Sequence, residues 1–265
     1  MWRISSCFIF LFLPVCFLFN SLAQQKGLND NYSVQPLKFT HFSSKDGLPQ
    51  NSVLAIHQDQ LGFIWMGTDD GLARYDGYQF RVFRHEPGDS LSLNNNVIRA
   101  IISDPSGQLW IGTEGGGVSI FDPIREKFSP IYLNENFPII LKDGKVSSML
   151  LANDQSIWIS TNGGGVISIK IDFESSSDWK VKSEGIKIRH FHNKNSNLKD
   201  NKVWSLFQDN EGRIWAGTQE KGAFVFENEI WTPVTLPIAP QTPQSVKVFY
   251  EDRLGRLWIG TEKSI

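Results

Sequence analysis

Five short stretches of this chain are written in one frame, and that recurrence limits the possible folds more than any other feature. GFIWMGT, GQLWIGT, QSIWIST, GRIWAGT and GRLWIGT set Trp65, Trp110, Trp158, Trp215 and Trp258 in near-identical surroundings. Successive tryptophans lie 45, 48, 57 and 43 residues apart. Twelve residues before each stands Val53, Ile98, Val146, Val203 or Val246. Six before stands Asp59, Asp104, Asp209 or Asp252, and three before stands Gly62, Gly107, Gly212 or Gly255. Register held at so many positions marks a repeat architecture, each unit being one supersecondary element.

Each unit reads as strands. VLAIHQD, IRAIISD, VWSLFQD and VKVFYED are β-prone runs that stop at Asp. The Asp-x-x-Gly that follows is turn chemistry: the Asp side chain caps the turn and Gly closes it, with Pro105 suiting the second position of a type I turn. The Trp strand ends at a glycine cluster (DDG, EGGG, NGGG or QEKG). A third strand follows (LARYD, VSIFD, VISIK, AFVFE), then a fourth such as YQFRVFRH or IKIRHFH. Four antiparallel strands in about 45 residues is the period of a β-propeller blade. The expected fold is all-β: an incomplete propeller of four-stranded antiparallel blades, about four and a half of them. The units fall near 46–90, 91–140, 141–195, 196–240 and a truncated 241–265. The third departs from the frame, with Gly144, Ala152 and Ser160 at positions held elsewhere by Asn, Asp and Gly.

Composition agrees with short strands and tight turns: 22 Gly, 19 Phe and 9 Trp in 265 residues. A net charge of −2 and a pI near 6.2 give no basic surface for nucleic acid. Residues 1–23 stand apart. MWR is a basic start, ISSCFIFLFLPVCFLF is apolar, and Ser21-Leu22-Ala23 offers small residues for cleavage after Ala23, so a secretory signal peptide is expected. Cys7 and Cys16 both lie inside it, so the mature chain would carry no thiol chemistry. Residues 24–38 then form a lead-in to the propeller at 39–265.

Leu-x-x-Asn-x-Val (Leu48 to Val53, Leu93 to Ile98, Leu198 to Val203), then Asp-x-x-Gly-x-x-Trp-x-Gly-Thr and a Gly-rich turn, resembles the two-component-regulator propeller repeat. The resemblance covers residues 39–265. It implies the N-terminal periplasmic sensor region of a hybrid two-component histidine kinase, in a family whose complete members add further blades, a β-sandwich, a membrane helix and a kinase core. It also implies export to the periplasm, a parent in the inner membrane, a dimer partner, and a ligand derived from polysaccharide breakdown. The pattern breaks off at WIGTEKSI, inside a fifth blade, as in a truncated gene or an N-terminal fragment. Residues 24–265 alone, with two blade faces uncovered, are expected to be marginal or self-associating.

In an up-and-down meander, the Leu-x-x-Asn segments and the Gly-rich turns share one rim. That rim carries Asn51, Asn96, Asn201, Asp69, Asp70, Glu114, Asn162, Gln219, Glu220 and Lys221. Variable polar loops on a fixed frame are where binding usually lives. Asp69, Asp70, Arg74, Glu114, Asn162, Gln219, Glu220 and Lys221 are the ligand-binding candidates, while the three asparagines also suit turn capping. The uniform Asp-x-x-Gly turns at the opposite rim read as scaffold. So do the repeat tryptophans, as packing between blades. An insertion within IDFESSSDWKVKSEG (171–185) holds Trp179, which suits either ligand stacking or a tucked position.

Catalytic readings find little support. Sialidase-type Asp boxes set Asp and Gly one residue closer than here, and the quinoprotein blade motif differs in spacing. GGG at 115–117 and 163–165 joins strands, without the helix N-terminus or Lys of a phosphate loop. His190 and His192 could share a strand face, yet no third metal ligand has a place. The reading is a sensing and ligand-binding module with no cofactor, no metal and no catalysis of its own. The rival is an independent exported propeller, either a glycan-active enzyme or a protein-interaction scaffold.

Overall fold

A computed structural model describes residues 38–130, 141, 144–171, 186–236 and 245–262. The chain divides into units 1–40 and 41–265, and every strand described below lies in the second. The expected signal peptide, nearly all of the lead-in, and Trp179 with its insertion lie outside the described residues.

Among the described residues, eighteen strands form five antiparallel sheets, in chain order. The first blade is β1 (Val53–Gln58), β2 (Ile64–Thr68), β3 (Gly71–Tyr75) and β4 (Phe80–Phe83). The second is β5 (Ile98–Ser103), β6 (Leu109–Thr113), β7 (Val118–Asp122) and β8 (Lys127–Pro130). The third is β9 (Val146–Leu151), β10 (Ile157–Thr161), β11 (Gly165–Lys170) and β12 (Lys187–Phe191). The fourth is β13 (Val203–Gln208), β14 (Ile214–Thr218), β15 (Ala223–Glu227) and β16 (Ile230–Val234). A two-stranded sheet of β17 (Val246–Glu251) and β18 (Leu257–Thr261) begins the fifth. Each four-stranded sheet is a simple meander, so the fold is an incomplete β-propeller. The first strands β1, β5, β9, β13 and β17 pack successively on one another.

The repeated residues explain this stacking. A Cβ built on Gly67 would stand 2.5 Å from Ile98 Cγ2, and one on Gly112 would stand 2.5 Å from Val146 Cγ1. The glycine of Trp-x-Gly-Thr is thus the notch that receives the first β-branched residue of the next blade. Each first strand also carries a bulge after its first residue, leaving Leu54, Arg99, Ser147, Trp204 and Lys247 out of the pairing. A bulge re-aims the side chain it displaces.

The Asp-x-x-Gly turn is tied to the Trp strand. Asp59 Oδ1 accepts the backbone N–H groups of Leu61 and Phe63, while Oδ2 accepts Trp65 Nε1 at 2.7 Å. Trp110, Trp215 and Trp258 donate in the same way to Asp104, Asp209 and Asp252. The third blade reaches this end by another route. Trp158 Nε1 donates to Ser156 Oγ at 2.8 Å, and Ser156 Oγ donates to Asp154, two residues after Ala152. Its turn closes with Gln155 at φ 64° where the other blades place glycine.

Candidate functional site

The rim formed by the glycine clusters is built from three recurring devices. The Thr of Trp-x-Gly-Thr is buried, and its hydroxyl donates to the carbonyl of Gly71, Gly117, Gly165 or Gly222. The same hydroxyl accepts the N–H of Asp70, Gly116, Gly164 or Lys221, so each β2–β3-type turn is stapled from below. The turns are then tied to the next blade: Gly71 N donates to Asn96 O, and Gly163 and Gly165 N both donate to Asn201 O. Finally, asparagine side chains cap the segments entering the first, second and fourth blades. Ser44 N donates to Asn51 Oδ1, His85 N to Asn96 Oδ1 and Asn193 N to Asn201 Oδ1. The Leu-x-x-Asn segments and the Gly-rich turns therefore meet on one rim.

The candidate side chains divide by blade. Asp69 is exposed, and Asp70 pairs with Arg84 at 3.1 Å. Glu114 pairs with Arg99, the bulged residue of β5. On the third and fourth blades the equivalents are neutral amides, Asn162 and Gln219, whose backbone N–H groups donate to Lys145 O and Lys202 O. Glu220 and Lys221 are exposed, the former with its N–H held by Asp200 Oδ2. Lys145, Lys202 and Lys247 are exposed and make no ion pair among the described residues. Lys247 Nζ stands 3.9 Å from the centroid of the Trp204 ring, whose Nε1 is buried without a hydrogen-bond partner. The rim thus runs from Asp70 and Glu114, paired with arginines, to amides beside Lys145 and Lys202, with Lys247 against Trp204 on the fifth blade.

Arg74 belongs elsewhere. It pairs in register with Trp65, lies over Phe63 at 4.6 Å and bonds Glu126 at 2.9 Å, three positions along β3 from Gly71. The rim partners Arg84, Arg99, Lys145, Lys202 and Lys247 escaped the sequence reading because they flank the repeated motif. The phase of the first-strand bulge was the signal that would have found Arg99, Trp204 and Lys247.

At the opposite rim, burial raises the Asp209 carboxyl, but hydrogen bonds from Trp215 and Arg213 outweigh it and hold the group below its ordinary value. The Trp258 indole and the N–H groups of the turn bring Asp252 down to about 2. His190 and His192 rings lie 5.0 Å apart, with His190 Nε2 2.6 Å from Gly164 O. Burial, then the neighbouring His190 and Lys194, lower His192. Among the described residues no cluster of three metal-ligating side chains occurs, and no helix is long and apolar enough to cross a membrane.

The model of the two component regulator propeller family matches residues 47–70, 92–115, 197–220 and 240–263. The third repeat, with Ala152 and Ser160, is not among those segments. Histidine kinase P4 of Formosa agariphila is 42% identical over 78 residues, spanning 29% of this chain and 5% of that protein. Among solved structures, the extracellular domain described for a hybrid two component system of B. thetaiotaomicron superposes with a TM-score of 0.69 at 24% identity. The match covers 84% of this chain and 29% of that one. The virginiamycin B lyase of Staphylococcus aureus superposes at 0.57 with 14% identity, covering 80% of this chain and 64% of that one. At such identities the structural likenesses establish the propeller fold. The chain spans less than a third of the length of the kinase and of the B. thetaiotaomicron domain.

Proposed function

The chain carries two-component-regulator propeller repeats, and on that premise we propose that it is the N-terminal periplasmic sensor segment of a hybrid two-component histidine kinase. Its glycine-turn rim binds an oligosaccharide released from a polysaccharide. Residues 1–23 act as the export signal, and the parent sits in the inner membrane as a dimer. Ligand binding at the rim biases the receptor towards one kinase state through its differential affinity for the two.

The observation that carries this reading is the contrast between frame and rim. Beneath the rim, the Thr staple recurs in the first four blades and the glycine notch in every blade but the third, where Ser160 stands. On it, Asp69, Glu114, Asn162, Gln219 and Glu262 occupy one repeat position with four kinds of side chain. A fixed scaffold presenting variable polar groups is the usual arrangement of a binding face. A second observation supports attachment to the rest of a receptor. Ile56 on β1 (68% exposed), with Val248 (56%) and Tyr250 (62%) on β17, offers apolar surface on the outward sides of the first and fifth blades. Further blades would cover it. The lyase among the structural neighbours leaves an exported enzyme as the rival.

Calorimetric titration of the complete sensor region with a panel of oligosaccharides tests the ligand. Heat with one glycan, weakened by the Asn162→Ala/Gln219→Ala pair, is expected; silence with every glycan removes the sugar assignment. Sequencing the gene beyond Ile265 tests the receptor. An open frame running through further blades to a membrane helix and kinase core is expected, and unrelated coding there would favour the rival.

A further inference from the structure

A cavity of about 440 Å³ opens between the third and fourth blades at the scaffold rim, away from the glycine turns. Repeat equivalence shows why it is there. The position two before the repeat Trp is Phe63 in the first blade and Ser156 in the third. The β3-type residue paired with that Trp is Arg74 in the first blade and Ser168 in the third. In the first blade these two large side chains fill the space: the Arg74 guanidinium lies over Phe63 and Trp65 and pairs with Glu126 of the next blade. In the third, Ser156 lines an open cavity whose inner wall is Trp158, Ile214 and Phe226.

The remaining groups match what surrounds Arg74. Glu229, the counterpart of Glu126 in the turn of the following blade, is at the cavity and pairs with Arg189, the counterpart of Arg81. Arg189 lies over Trp158, Phe191 and Phe226 as one cation where the first blade holds two. The lining acids are Asp154, Glu211, Glu227 and Glu229, against two lining arginines, Arg189 and Arg213. Asp154 is engaged by Lys170, Glu211 by Arg213 and Glu229 by Arg189, whereas Glu227 makes no ion pair among the described residues. The cavity therefore has a cation's worth of space, an aromatic wall and, in the exposed Glu227, a carboxylate in no ion pair that acts on Arg213 only through its field.

We propose that this cavity is a binding site for a guanidinium group, carried by a free arginine-like molecule or by an arginine side chain of a peptide. The chemistry follows that of the Arg74 niche, with Trp158 and Phe226, which Arg189 already covers in part, standing in for the missing counterpart of Phe63: a planar cation over an aromatic face, held by forked hydrogen bonds to carboxylates. The site lies on the opposite rim from the proposed sugar face and does not depend on it.

Calorimetry on the full chain with Nα-acetyl-arginine amide, its citrulline analogue and its lysine analogue tests this. The arginine compound is expected to bind at least tenfold more tightly than the neutral, isosteric citrulline compound and more tightly than lysine. Glu227→Gln is expected to weaken it about tenfold, the loss of one charge-assisted pair. Ser168→Arg, which restores the occupant of the first blade, is expected to abolish binding, with the circular dichroism spectrum confirming an intact fold. Free arginine binding more tightly than Gly-Arg-Gly would identify a small-molecule ligand, and the reverse a peptide. Equal binding of arginine and citrulline compounds, binding of neither, or full binding by both variants would overturn the proposal.

Discussion

Neighbouring blades share one inner frame but are closed at their outer halves in two different ways. Between the first and second blades, Trp65, Phe83, Phe121 and Phe128 form a ring cluster with centroids 4.6–5.9 Å apart. Between the third and fourth, Trp158, Phe191, Phe226 and Trp231 occupy the same repeat positions. Between the second and third, Trp110 instead packs among aliphatic residues, with Ile169 and Ile188 where the others hold aromatics. The latch alternates too. Arg81 reaches Glu126 and Arg189 reaches Glu229 across the aromatic interfaces, whereas the counterpart in the second blade is Ser129. The first four blades thus associate as two pairs: aromatic edges and guanidinium–carboxylate contacts fix geometry within a pair, and close-packed aliphatic surface joins the second blade to the third, while Phe207 and Trp215 meet Phe249 at the fourth–fifth junction.

The largest effects should come from emptying the clusters. Trp65→Ala and Trp158→Ala should each cost about 3–5 kcal/mol, from lost transfer energy plus a cavity walled by rigid rings. Trp110→Ala should fall at the low end of that range, because isoleucines and Met149 can relax into the gap. Denaturant unfolding of the three variants measures this; equal costs would show that the aromatic quartets add nothing beyond buried area.

Next come the glycine notches. Gly112→Ala places a methyl against Val146 and should cost about 1–3 kcal/mol by overpacking. The third blade already holds Ser160 at this position, fully buried with its hydroxyl 3.3 Å from Ser148 O. Ser160→Ala should therefore change unfolding free energy by well under the Gly112→Ala cost. A large loss at Ser160 would mean that the notch matters only through its hydrogen bond.

How much of this was legible follows from where the repeat is strict. The strand starts at Val53, Ile98, Val146, Val203 and Val246 and the Asp-x-x-Gly turns could be read directly, because notch, bulge and cap each require one residue type. Two things could not. The third-blade turn keeps its geometry through Asp154, Ser156 and a left-handed Gln155, a substitution spread over three residues that single-position matching misses. The pairing of blades was hidden because its residues repeat every second unit, and an insertion shifts Phe191 relative to Phe83. Of the candidate site, the rim was legible from topology, whereas the surroundings of Arg74, against Phe63 and Glu126 further along β3, were not, because its partners lie outside the repeated frame.

The latch should be worth less than the clusters. Glu126 is raised by burial but pulled below its ordinary value of 4.5 by the guanidinium groups of Arg81 and Arg74. A lowered carboxylate contributes stability that is present above the unfolded value and lost as pH falls through the folded one. Glu126→Gln should cost about 0.2–1 kcal/mol at neutral pH and flatten the acid limb of the stability curve below pH 4.5. An unchanged acid limb would show that the latch is a surface contact without coupling to folding.

The smallest effect concerns the inner edge of the first pair. His57 occupies the position filled by Ile102 in the second blade and Leu150 in the third, and its Nε2 lies 2.6 Å from Ser103 Oγ across the interface. Burial lowers its pKa below 6.5, partly countered by Asp59. The unfolded chain then binds the proton more readily, so stability is complete above pH 6.5 and declines as pH falls towards the lowered folded value. His57→Leu copies the third blade and removes the titrating group. Thermal unfolding from pH 7.5 to 5 should show the decline in the parent and its absence in the variant. A parent whose stability holds level across that range would mean that imidazolium is accommodated at the interface, and that the first pair is no more sensitive to protonation than its aliphatic neighbour.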